Sequence, residues 1–309
     1  MGTVEAAAPG RQGRRILPRL GVRLGGWLWG LVVFLYLGIA ALVPLFVPYE
    51  EAVRVDLARA LEPPGGREWL GRDELGRSLG ARLMWGARST LTVVIAGVGA
   101  GGLVGVTLGM ASGLHHGGPA DAAITALVDA LLALPRLLVA LLVVGLVGQS
   151  FEALIGAVAF SSFPSFARLA RGATLAVQQR EFVVAAVALG ATRGRILIRH
   201  ILPNVLDVLL PYASLSLSTA VLVVAALGFL GLGPPPPAPE WGSMLSTARS
   251  YLWEHPHLLV VPASAVALLA VSLSLLSDQF AGKHSQGKAV WIRPAKTGKP
   301  AGRRGLTDA

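Results

Sequence analysis

Few residues in this chain could do chemistry, and the most suggestive of them imitate a nucleotide site. Gly282, Gly287 and Lys288 match the G-x-x-x-x-G-K spacing whose backbone N–H groups cradle phosphates. Ala289 follows, however, where a magnesium-binding hydroxyl is required, and no strand precedes the pattern. It is therefore set aside. The histidines offer no metal site: His115 and His116 are neighbours on one turn, His255 and His257 are expected across the membrane from them, and all read as solvated turn residues. The apolar segments hold no paired carboxylates, metal cluster or activated nucleophile, which argues against a membrane-embedded enzyme. Two charges inside those segments remain, Asp129 and Arg136. Charge there is costly and marks function by default. Seven residues on one expected helix separate them by about 10 Å along the axis, so each needs its own partner. Arg136 either faces a polar path, meeting a solute carboxylate or peptide carbonyl, or makes a contact between helices or subunits.

The elements that must position these residues follow from composition. Hydrophobic residues make up 53% of the 309 and charged residues 14%, well below the quarter typical of soluble domains. Segments of ~20 residues without charge are long enough to cross a ~30 Å hydrocarbon core. Six spans are expected: 27–47, 89–113, 121–147, 152–172, 205–231 and 257–280. The run from Trp27 is too long for a signal peptide and has no clean cleavage site, so it reads as a retained first span. Residues 1–26 then form an N-terminal tail, 48–88 an extracytoplasmic segment, 89–280 a core of five further spans, and 281–309 a disordered basic tail near anionic lipid. With six spans both termini share a side. Eighteen lysines and arginines fall on that side and eight on the other, where seven between 48 and 88 are matched by seven carboxylates. The positive-inside rule makes the richer side, and both termini, cytoplasmic. Cysteine is absent, which excludes disulfides and thiolate metal ligands.

Two local patterns stand out. Gly97, Gly101, Gly105, Gly109 and Gly113 recur every four residues, a ridge that lets another helix approach closely, within the chain or in a second subunit. On the cytoplasmic side, residues 180–204 read REFVVAAVALGATRGRILIRHILPN. Glu181 to Leu189 is expected as a short helix stopped by Gly190. Thr192 caps a second helix, ended by Pro203. The small residues Ala185, Ala186, Ala188 and Gly190 allow a protein surface to come close. Equally, Arg193, Arg195 and Arg199 would hold an amphipathic loop on anionic lipid.

This stretch resembles the cytoplasmic coupling motif of ATP-binding-cassette importer permeases: Glu-Ala-Ala, three residues, Gly, then a hydrophobic residue before Leu-Pro. Ala185, Ala186, Gly190, Leu202 and Pro203 fall in place, and "RHILPN" with His200 is familiar in the peptide-transport branch. Val184 occupies the motif's glutamate position, although Glu181 lies one turn earlier. Residues 68–91 (EWLGRDELGRSLGARLMWGARSTL) resemble W-L-G-T-D-x-x-G-R-D followed by G-A-R-x-S-L, with Arg72 and Ser78 replacing Thr and Asp. Residues 227–249 (LGFLGLGPPPPAPEWGSMLSTAR) resemble F-L-G-L-G, a proline-rich turn and W-G-x-M-L. The three occur in the family's order over 68–280, and the chain is most similar to the C-type subunit of dipeptide, oligopeptide and nickel importers.

The resemblance implies an all-α membrane protein with the type I importer permease fold, in a prokaryotic inner membrane. Its loop at 178–204, with Glu181, Ala185, Ala186, Gly190, His200, Leu202 and Pro203, would couple to an ATPase. It implies a homologous second permease, two ATPase subunits that bind ATP and Mg²⁺, and an external substrate-binding protein; lipid is the surroundings, and no nucleic acid or cofactor of the chain's own is implied. Segments 48–88 and 233–256 would touch the binding protein or simply cap the bundle. A stand-alone secondary transporter is the rival reading, but it needs a complete path in one chain, usually with inverted repeats, and no repeat is evident. Peptides, glutathione-like compounds, nickel chelates and sugars all remain open as cargo.

Overall fold

Residues 19–289, apart from residue 67, are described by a computed structural model. Eleven α-helices account for most of them: α1 (Arg19–Phe46), α2 (Tyr49–Val53), α3 (Leu79–Leu114), α4 (Pro119–Leu132), α5 (Arg136–Val147), α6 (Phe151–Gln178), α7 (Glu181–Ala188), α8 (Arg193–Ile196), α9 (Leu202–Phe229), α10 (Trp241–Ala248) and α11 (His257–Ala289). The helix α11 takes in the first nine residues of the expected C-terminal tail, including the Gly282–Ala289 pattern. The remainder of that tail and residues 1–18 lie outside the described residues.

The glycine ridge sets the centre of the bundle. A Cβ built on Gly97 would lie 2.6 Å from Val158 Cβ, and one on Gly113 2.8 Å from Thr174 Cβ. Between them, Gly101, Gly105 and Gly109 face Ser162 and Ala159, Phe163, and Ala167 just as closely. The ridge is therefore used inside the chain, against α6. Its register has a topological consequence: residue numbers rise together along α3 and α6, so these helices run parallel. The intervening α4 and α5 must return the chain across the membrane.

That return is not the single helix expected over 121–147. The segment breaks at Ala133–Pro135, and α4 and α5 meet at 95°. Pro135 has no N–H to donate and disfavours helical geometry at Leu134. At 14 and 12 residues, neither half reaches the ~20 needed for a span alone. Asp129 and Arg136 thus sit on different helices. Five unbroken apolar helices and this broken pair make six crossings, which leaves both ends of the described chain on one side.

The other spans pack by hydroxyl-to-carbonyl bonds. Ser214 Oγ donates to Leu273 O (2.9 Å), Ser218 Oγ to Ala270 O (2.7 Å) and Ser277 Oγ to Pro211 O (2.7 Å), in an antiparallel register between α9 and α11. These bonds join helices where apolar burial alone gives no drive, since lipid is as apolar as leucine. The peripheral α1 leaves Trp27, Phe34, Leu45 and Phe46 exposed toward lipid or a neighbouring subunit.

Candidate functional site

At one end of the bundle, hereafter the loop end, Glu181–Ala188 forms the short helix anticipated from sequence. Gly190 stops it with φ +79°, accompanied by Gly190 N–H to Val187 O (2.9 Å) and Ala191 N–H to Ala186 O (3.0 Å). This is a Schellman close, which needs a left-handed residue. Thr192 caps the next helix, its hydroxyl accepting from Arg195 N–H at 3.4 Å.

The second leg differs from expectation. Pro203 does not end it: α8 passes through a π-turn at Leu197–Ile201 into α9, making one apolar rod over Arg193–Phe229. Within the turn Leu202 N–H reaches back to Leu197 O. A proline cannot donate to the carbonyl four residues earlier and its ring crowds that carbonyl; the widened turn provides the space.

The short helix is fastened to this rod by residues that sequence reasoning passed over. Arg180 Nη1 donates to Asn204 Oδ1 (3.2 Å), and Asn204 Nδ2 donates to His200 O (2.8 Å). The Phe182 ring packs 5.9 Å from that of His200. Val183, Ile196 and Ile201 are buried beneath, while Phe182, Val184, Val187 and Leu189 point outward. Glu181, Ala185 and Gly190 are exposed and Ala186 is half-buried. Arg180 and Asn204 flank the motif as a polar pair 24 residues apart, a signal visible only once the fold joins them.

Beside this loop a buried carboxylate ties three helices together. Asp121 accepts from Arg171 Nε (2.8 Å) and Nη2 (2.9 Å), from Gly117 N–H (3.0 Å) and from the Ser112 hydroxyl. His116 Nδ1 lies 3.0 Å from the same carboxylate, so this histidine is part of the clamp rather than only solvated.

Above the clamp, three cavities follow one face of α6. The first, about 210 Å³, lies at the α4–α5 break and is lined by Arg136, Ser161 and Ser165. The second, about 450 Å³, shares Ser165 and reaches Arg168 and Tyr212. The third, about 410 Å³, shares Arg168 and reaches Asp129 and Arg171. Arg136 Nη2 donates to Ser216 Oγ at 3.2 Å, and its Nε is buried without a partner. Among the described residues Arg136 has no carboxylate partner. Asp129 pairs instead with Arg168.

The opposite end is closed by a cap. Asp73, buried, accepts from Arg77 Nε (2.7 Å) and lies 3.2 Å from Arg82 Nε; Arg82 Nη1 donates to Ala52 O (3.1 Å). Arg72 and Ser78, the two departures from the sequence pattern, both bind Glu68, at 2.6 and 2.8 Å. Trp241, wholly buried, donates its indole N–H to Leu83 O at 3.0 Å, joining the start of α10, just after the proline-rich loop, to the first turns of α3. The carboxylate of Glu240 caps α10 by accepting from Gly242 and Ser243 N–H (both 2.8 Å), and complete burial pushes its pKa up to about 7.

The chain matches the model of the family "Binding-protein-dependent transport system inner membrane component" over residues 105–288. It is 38% identical over 249 residues to the glutathione transport system permease protein GsiD of Pectobacterium atrosepticum, covering 81% of this chain and 82% of that protein. It is 33% identical over 273 residues to the dipeptide transport system permease protein DppC of Alkalihalophilus pseudofirmus, covering 88% of each. A solved structure of the MetNI methionine ABC transporter in an inward-facing conformation shares the fold, with a TM-score of 0.55 and 20% identity over 65% of this chain and 95% of that one. The type I importer fold stands, and the stand-alone secondary transporter does not. This chain belongs to the binding-protein-dependent transport system inner membrane components, as a permease subunit of an ABC importer.

Proposed function

We propose that the subunit forms half of a membrane path with a homologous permease and is driven by two separate ATP-binding-cassette subunits docked at residues 178–204. The observation that carries the reading is mechanical. Helix α7 offers an outward apolar face, and the leg after it runs without a loop into a 37-residue rod ending at Phe229. A partner that grips α7 therefore moves the fifth span directly. Ala185, Ala186 and Gly190 give the partner close approach, Glu181 supplies a carboxylate at the first turn, and His200, Leu202 and Pro203 lie in and just after the π-turn that aims the helix. With Val184 at the motif's glutamate position, docking rests on apolar contact and shape.

ATP and Mg²⁺ belong to the ATPase partners, and no cofactor is assigned to this chain. The charge count supports a cytoplasmic loop end and cytoplasmic termini in a prokaryotic inner membrane. The cap end would then receive an extracytoplasmic binding protein. Peptides are the cargo this reading favours, on the names of the similar permeases. Arg136 and Asp129 line the path. Nucleotide binding favours one arrangement of the coupled helices and hydrolysis restores the other, a population shift.

The absence of native cysteine makes the test clean. A photocrosslinker on Ala185→Cys in the assembled importer should capture the ATPase subunit, with a yield that changes on ATP binding. Capture of lipid alone would refute docking. Gly190 is a poorer probe site because its positive φ strains any side chain.

A further inference from the structure

Three arginines line the α6 cavities, and their partners differ. Arg171 is committed: both its bonds to Asp121 are buried in a carboxylate satisfied from several sides. Arg168 is only loosely held, since its pair with Asp129 leaves the two side chains 60% and 55% exposed. Exposed pairs of this kind are worth at most about 1 kcal/mol, so another carboxylate can replace Asp129. Arg136 has no carboxylate among the described residues, one hydroxyl partner in Ser216 midway along α9, and a buried unpartnered Nε.

Position links Arg136 to Arg168. Ser161, Ser165, Arg168 and Gly172 lie at helical spacing on one face of α6, and the cavities they line share Ser165 and then Arg168. From Ser165 to Arg168 is about 4.5 Å along the helix. The stripe descends from mid-membrane toward the loop end. A cation at that depth is costly unless hydrated or paired, and a cavity of about 210 Å³ has room for roughly seven waters. A carboxylate entering it replaces that water with charge-assisted bonds to a planar donor.

We propose that the permease itself selects cargo bearing a carboxylate, by holding that group at Arg136 and passing it to Arg168, where it displaces Asp129. The inference rests on the peptide-importer reading and narrows it: the chain contributes a cationic two-step track, in addition to whatever the external binding protein selects. Cargo without a carboxylate gains nothing from it.

The test uses the complete importer in proteoliposomes, with trialanine as probe and Arg136→Cys as the variant. Trialanine uptake should fall about tenfold, the scale of a lost charge-assisted hydrogen bond, while binding-protein-stimulated ATP hydrolysis continues. Treatment with 2-aminoethyl methanethiosulfonate, which restores a cationic N–H donor, should restore uptake and the sulfonatoethyl reagent should not. Restoration by both reagents or by neither overturns the proposal, as does loss of ATP hydrolysis together with uptake, which marks a structural role. Arg136→Lys, which keeps the charge, is expected to retain at least half of the uptake even if the cysteine variant assembles poorly; an equal loss in both overturns the proposal. Failure of the unaltered importer to take up trialanine would instead refute the peptide reading on which this rests.

Discussion

The π-turn at Leu197–Ile201 invites the assumption that Pro203 creates it, and magnitudes argue otherwise. Replacing Pro203 by alanine removes a penalty of about 3 kcal/mol for proline in a helix interior. Relaxation to a regular α-helix would take the turn's extra residue into the α repeat, rotating everything before it by about 100° and lengthening the rod by ~1.5 Å. With α7 packed at a typical 8–10 Å between axes, that rotation moves it by roughly 14 Å. Such a swing would uncover Val183, Ile196 and Ile201, now 4%, 8% and 1% exposed. At roughly 1.5–3 kcal/mol each their burial outweighs the proline term, before the Arg180–Asn204 bond adds about 1 kcal/mol. Pro203→Ala should therefore keep the turn and the aim of α7. Spin labels on Ala185→Cys and Ala122→Cys, both exposed, report it by pulsed dipolar spectroscopy: the distance distribution should match that of the unmodified rod. Adding Val183→Ala and Ile196→Ala should release the swing. A shift on the scale of the rotation in Pro203→Ala alone would refute the reasoning, because the proline would then be what holds the turn.

Three further outcomes follow from the same structure. Gly109→Ala should destabilise by about 1–3 kcal/mol, since its Cβ meets the Ala167 carbonyl; Gly99→Ala, with open space around it, should gain up to ~1 kcal/mol from helix propensity, and apparent melting temperatures in detergent should move in opposite directions. Glu240, with its pKa raised to about 7, keeps a proton in the folded state that the unfolded chain releases near 4.5. Its contribution should be most favourable below that value, fall by ~1.4 kcal/mol per pH unit up to about 7, and be flat above; a melting series from pH 5 to 8 should lose this component in Glu240→Gln. Asp121→Asn should destabilise the fold, because it takes the charged partner from Arg171, and should raise protease sensitivity at the 115–118 turn.

Much of the architecture was legible from patterns whose physics is local. Apolar runs of bilayer length, glycine every fourth residue, Thr192 before a helix and Gly190 after one each specify their structure through the chain's own geometry. The coupling motif's helix, stop and cap were placed for that reason. The broken crossing was harder: Pro135 was visible, but whether a proline kinks a span or splits it depends on what neighbouring helices offer the freed backbone groups.

The sequence by itself determined that this is a multi-span membrane protein with a knob between its fourth and fifth crossings, because hydropathy and turn chemistry act over a few residues at a time. Tertiary structure alone decided the partners: that the glycine ridge is spent on α6, that α7 is bolted to a continuous rod, and that Asp129 answers Arg168 and leaves Arg136 facing a cavity. Those outcomes depend on which helix faces which, and residues 39 or 80 positions apart carry no local signal of their meeting.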